Sequence, residues 1–148
     1  MSLTATLPTD LEILADSLSA CADELHQRIM RGVRRQQALE GTGGLAHGAA
    51  QALFENEVAL RQQANSLYVD AASHALEGLG VSQQELLRLA ESARAAIARI
   101  NRVKELVSLS ADLLAVAAAV AAARPEHLAA PLENLKAFLA ARERDNSA

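Results

Sequence analysis

Apolar residues recur at Leu11, Leu14, Leu18, Cys21, Leu25 and Ile29, the three-and-four spacing that lines one side of a helix. The stripe predicts a first helix over about 9–39. Its start carries "TDLE", a capping box in which the Thr9 side chain meets an early backbone amide and Glu12 reaches back. Its end is "GTGG", Gly41 to Gly44, where glycine tolerates the left-handed turn that closes a helix. A second stripe, Leu53, Leu60, Leu67, Ala71 and Ala75, is widened by Phe54, Val58, Val69, Ala72 and Leu76. It predicts a helix over about 45–77, stopped by Gly78 and Gly80.

A third apolar pattern opens on the capping box "SQQE" at Ser82. It continues through Leu86, Leu89, Ala93, Ile97, Ile100, Val107 and Leu114 toward Arg124, where Pro125 removes a donor and ends it. At about 1.5 Å per residue, a helix over 82–124 would be roughly 60 Å long, against roughly 45 to 50 Å for each of the first two. It must therefore bend, break or overhang its partners. A short last helix over about 132–144 starts beside Pro131, carries Leu132, Leu135, Phe138 and Leu139, and would fold back over the overhang.

Short connections between long helices force antiparallel neighbours. The expected fold is all-α, an antiparallel up-down bundle of three long helices plus a short C-terminal helix, with residues 1–148 forming one domain. Charge favours contact between helices two and three. Residues 45–79 hold Glu55, Glu57, Asp70 and Glu77 against Arg61, a net −3, whereas residues 82–124 hold six basic and four acidic groups, a net +2.

Composition supports helices. The chain is 51% hydrophobic, mostly Ala and Leu, and only 2% aromatic with no Trp, whereas strands draw on β-branched and aromatic residues. A net charge of −4 gives no global attraction to nucleic acid, and three scattered aromatics offer no platform for base stacking. Cys21 is the single cysteine, so no intrachain disulfide can form. The N-terminus lacks the basic start and apolar run of a secretory signal, and a cytoplasmic location is the expectation.

The most apolar stretch, "ADLLAVAAAVAAARP" at 111–125, raises the question of a membrane. A spanning helix needs about 20 apolar residues. The uncharged run Leu113 to Ala123 covers only about 16 Å, between Asp112 and Arg124. Its small side chains suit close helix packing instead, toward the lower end of the roughly 8 to 10 Å range of axis separations.

Candidate chemistry is sparse. "HQRIMRGVRR" places Arg28, Arg31, Arg34 and Arg35 within about two turns, a docking patch for an acidic protein or phosphate-bearing partner. The same arginines complement the C-terminal dipole of their helix, with five acidic residues between Asp10 and Glu24 at the other end. Helix two carries Asn56, Gln63, Asn65, Ser66 and Tyr68 beside its stripe, and buried polar groups can set register or oligomeric state. A polar network through Asn56, Asn65 and Tyr68 follows from that pattern. No Glu-x-x-His pair, phosphate loop or nucleophile elbow occurs, so no metal, cofactor or catalytic residue is assigned.

These features predict a non-enzymatic protein that binds another protein, as an adaptor, small chaperone or immunity-type inhibitor would, and that self-associates into a homo-oligomer. The competing expectation is a membrane-active or hydrophobic-ligand-binding protein using residues 106–123.

Overall fold

The computed structural model describes residues 10–38, 47–69 and 82–147. They form five helices: α1 Asp10–Ala38, α2 His47–Val69, α3 Gln83–Arg99, α4 Val103–Ala121 and α5 Pro125–Ser147. No strand occurs among the described residues, and the chain is all-α. Thr9, Gly41 to Gly44, Ala71, Ala72, Ala75, Leu76, Gly78 and Gly80 lie outside the described residues.

The first apolar stripe holds throughout: Leu11, Leu14, Leu18, Cys21, Leu25 and Ile29 are all buried. In α2 the core positions are Leu53, Leu60, Ala64 and Leu67, with Glu57 on the same side and equally buried. Val58, expected to widen that stripe, is instead 52% exposed. It lies two residues from Leu60, about 200° around the helix, and so on the opposite side.

The expected helix over 82–124 is two helices. Ile100 and Arg102 take extended backbone angles, with ψ of 131° and 124°, and the chain reverses between Arg99 and Val103. Leu86, Leu89 and Ala90 of α3 line one small internal space with Leu113, Val116 and Val120 of α4, which places the start of α3 beside the end of α4. The physical reason is a slip in the apolar phase. From Ile97 and Ile100 the next inward position would be Lys104, whereas the buried face of α4 is Leu106, Leu109, Leu113, Val116 and Val120. One straight helix cannot bury both stripes, so the chain folds back.

The directions of packing follow from the pairs that meet. On α1 and α2, Asp23 meets Arg61 and Asp16 meets Tyr68, so these helices are antiparallel. On α1 and α3, Cys21 meets Ala90 and Arg28 meets Ala98, so these run in the same direction. α4 packs along α2, where Asn56 meets Ser110, and α5 packs along α4, where Arg142 lies near Glu105. α5 also touches α3 through Lys136 and Glu85. α1, α2, α4 and α3 thus surround the core, and α5 closes the seam between α3 and α4 with Leu128, Leu132, Leu135 and Leu139 buried.

The last helix begins at Pro125, not at Leu132, and continues to Ser147. Proline suits a first helical turn because its missing N–H would have no partner there. Pro131 sits inside the helix, where the lost hydrogen bond is offset by the apolar face packed on α4. The α4–α5 turn is closed by Arg124 N–H donating to Ala119 O at 2.9 Å, with Ala123 held at φ 55°. The ion pairs between helices link α1 to α2, α3 to α5 and α4 to α5. None joins α2 to α3 or α4 among the described residues, so the expected contact of helices two and three, present as α2 against α4, rests there on packing and the Asn56–Ser110 bond and not on ion pairs.

Candidate functional site

α2 is polar around most of its circumference because it is gripped along both edges and bare on its outer side. On the α1 edge, the buried Glu57 carboxylate takes two partners. His26 Nδ1 lies 2.9 Å from Oε1, and Arg61 Nε donates to Oε2 at 3.0 Å. Arg61 Nη1 donates in turn to Asp23 at 2.8 Å. The Asp23 hydrogen bond, followed by those to Glu57, holds the Arg61 guanidinium above its ordinary pKa. The His26 ring stands edge-on to Phe54, with centroids 6.3 Å apart. Further along the same edge, the Tyr68 hydroxyl donates to Asp16, and this bond raises the Tyr68 pKa.

On the α4 edge, Asn56 Nδ2 donates to Ser110 Oγ at 2.8 Å, and Ser110 Oγ donates to Val107 O at 3.0 Å. Ser110 is fully buried, so the link satisfies a polar group inside the α2–α4 contact. Asn56, Asn65 and Tyr68 do not form one network. Asn56 faces α4, Tyr68 faces α1, and Asn65 is exposed between them. The α1-edge cluster escapes sequence reading because Glu57 occupies an inward position in a stripe otherwise apolar. The only signal for it is the i,i+4 spacing of Glu57 and Arg61.

The outer side of α2 is formed by Gln51, Glu55, Val58, Gln62 and Asn65, all exposed. Their spacing of four, three, four and three keeps them in one row. Glu55 is the charged residue of the row. Among the described residues, Val58 and Tyr68 are the exposed large hydrophobic ones, and both belong to α2.

Arg28 and Arg31 differ in their surroundings. Arg28 is half-buried and crosses to the end of α3, where its guanidinium donates to Ala98 O at 3.3 Å and to Ile100 O. It thereby holds carbonyl groups that the reversal at Ile100 leaves without helical partners. Arg31 is exposed, and Arg34 and Arg35 lie in α1 with side chains outside the described set.

Cys21 is buried and its thiol donates to Ala90 O at 3.2 Å. Burial, with the Glu91 carboxylate adding to it, pushes the thiol from 9.0 up to about 12, well away from a reactive thiolate. No group of three or more His, Cys, Asp or Glu among the described residues converges on a point that could hold a metal ion. No helix among them is long and apolar enough to cross a membrane. No family model, curated protein or solved structure matches the chain.

Proposed function

We propose that the protein works by protein–protein binding, with the outer row of α2 as the contact surface and a second copy of the chain as its first occupant. The observation that carries this reading is the exposure of Val58 within this row and of Tyr68 beside it. Interface centres are more apolar and richer in tyrosine than the remaining surface. The grip on both edges of α2 supports it further, because a surface held by side-chain bonds loses little freedom on binding.

The row is compatible with its own copy. In a two-fold antiparallel pairing centred on Leu60, Val58 opposes Gln62 and Glu55 opposes Asn65 of the second copy. The two Glu55 carboxylates then lie about 15 Å apart along the axis, beyond the roughly 10 Å over which charges act at ordinary ionic strength. Residues 106–123 support the membrane reading less, because Leu106, Leu109, Leu113, Val116 and Val120 face the interior.

Sedimentation across a wide concentration range tests the pairing. The wild type is expected to dimerise, and Val58→Glu with Gln62→Glu to remain monomeric. Mixing that variant with Val58→Lys and Gln62→Lys should restore a dimer. A wild type that stays monomeric, or a dimer indifferent to these charges, overturns the second copy as occupant. A photo-crosslinking residue at position 62 that captures no other protein in native lysate would then overturn protein binding through this row.

A further inference from the structure

α3 and α5 run in the same direction but stand apart over part of their length, leaving a half-open cavity of about 330 Å³. The gap comes from small side chains on the facing surfaces: Ser92 and Ala96 on α3, and Ala140 on α5. Leu89, Ala96 and Leu139 form its apolar floor. At one end Lys136 Nζ lies 2.7 Å from Glu85 and ties the two helices together. At the other end stand Arg99 and Arg142. Arg142 Nη1 is 3.7 Å from Glu105, whereas Arg99 is exposed and has no ion-pair partner among the described residues.

Two of the three cations on this cavity already have carboxylate partners. Lys136 and Arg142 are engaged by Glu85 and Glu105, so Arg99 is the cation of the lining that has no ion-pair partner among the described residues, and Glu143 is the carboxylate of the lining. The volume lies at the lower end of the roughly 300 to 1,000 Å³ found for small-molecule sites, which combine an apolar lining with a few placed polar groups. Leu89 is shared with a narrow apolar space deeper between α1, α3, α4 and α5, so the floor leads toward the core.

We infer that this cavity is a binding site for a medium-chain carboxylate. The carboxylate is held by the Arg99 guanidinium at the open end, with Arg142 beside it, because a guanidinium fork matches two carboxylate oxygens. The aliphatic portion lies along Leu89, Ala96 and Leu139. An inorganic anion would leave that floor uncovered, and a cationic amphiphile would meet two arginines. The site is separate from the outer row of α2 and does not depend on self-association.

Titration calorimetry with octanoate tests the assignment, with acetate and octylamine as probes that keep only the head or only the tail. Octanoate is expected to bind saturably at one site, and acetate and octylamine are not. Arg99→Gln should weaken octanoate at least about tenfold, the loss of one charge-assisted contact. Ala140→Leu, which fills the cavity from its exposed wall, should weaken it similarly, while circular dichroism shows both variants folded. Methyl resonances of Ala96 and Ala140 should shift on addition of octanoate. Absence of saturable octanoate binding, equal binding of octylamine, or unchanged affinity in both variants overturns the assignment.

Discussion

Replacing Arg28 by Met discriminates between two roles for the arginines of α1. The substitution keeps an aliphatic stem and removes the guanidinium that reaches Ala98 O and Ile100 O. A hydrogen bond from a charged donor contributes about 1.5 to 3 kcal/mol. Two such bonds are not additive here, because Arg28 is only half-buried, the Ala98 contact is long at 3.3 Å, and water can reach the end of α3. The expected loss for Arg28→Met is therefore about 2 kcal/mol, near the value of one good bond. For a chain of this length that lowers the melting temperature by about 4 to 8 °C. Arg31→Met, on an exposed neighbour one turn away, should stay within about 0.5 kcal/mol of wild type. Urea unfolding followed by circular dichroism measures both, and the slope of stability against urea should be unchanged. If Arg28→Met and Arg31→Met are equally silent, Arg28 does not hold the α3 terminus and the chain reversal rests on packing alone.

Spin labels at Gln84→Cys and Ala122→Cys should report a separation of less than about 30 Å, because α3 and α4 lie side by side, whereas one continuous helix would place them about 57 Å apart; a distance near the larger value refutes the hairpin. Ala123, held at φ 55°, should become more stable as Ala123→Gly by about 0.5 to 1 kcal/mol in thermal melts, and a loss of stability would refute left-handed backbone there. A double-mutant cycle of Asn56→Ala and Ser110→Ala should give a coupling of about 0.5 to 1.5 kcal/mol by urea unfolding, and additivity within about 0.3 kcal/mol would remove the α2–α4 hydrogen bond. For Cys21, the folded thiol holds its proton up to about 12 while the unfolded one loses it near 9.0. Its contribution is thus complete below that lower value and is lost as pH rises, by about 1.4 kcal/mol per unit. Stability measured against pH above 9 should fall less steeply for Cys21→Ala than for wild type, and parallel curves would refute a buried, protonated thiol.

The chain by itself determines that the fold is helical, where α1 lies and which side of it is buried. The apolar residues of α1 share one period without interruption, so Leu11 through Ile29 can face only one way. The start of α3 is equally local: Ser82 Oγ accepts the Glu85 N–H at 3.0 Å, a bond between residues three apart. The break at Ile100 was also present in the pattern, as the slip from Ile97 and Ile100 to Leu106 and Leu109, but no glycine or proline marks it. A stripe through Val107 and Leu114 bridges the slip with plausible residues, and only burial distinguishes it from the true face.

The tertiary structure decided everything that depends on residues distant in the chain. Glu57 is inward-facing because His26 and Arg61 satisfy it, and His26 lies 31 residues away on another helix. Arg28 reaches the end of α3, 70 residues on. The same holds for the α3–α5 cavity, whose two walls bring together Arg99 and Arg142. Helical periodicity is a property of neighbouring residues, whereas the pairing of buried charges, the capping of a distant helix end and the shape of a gap depend on which helices meet. That choice follows from the apolar faces of all five helices being buried at once.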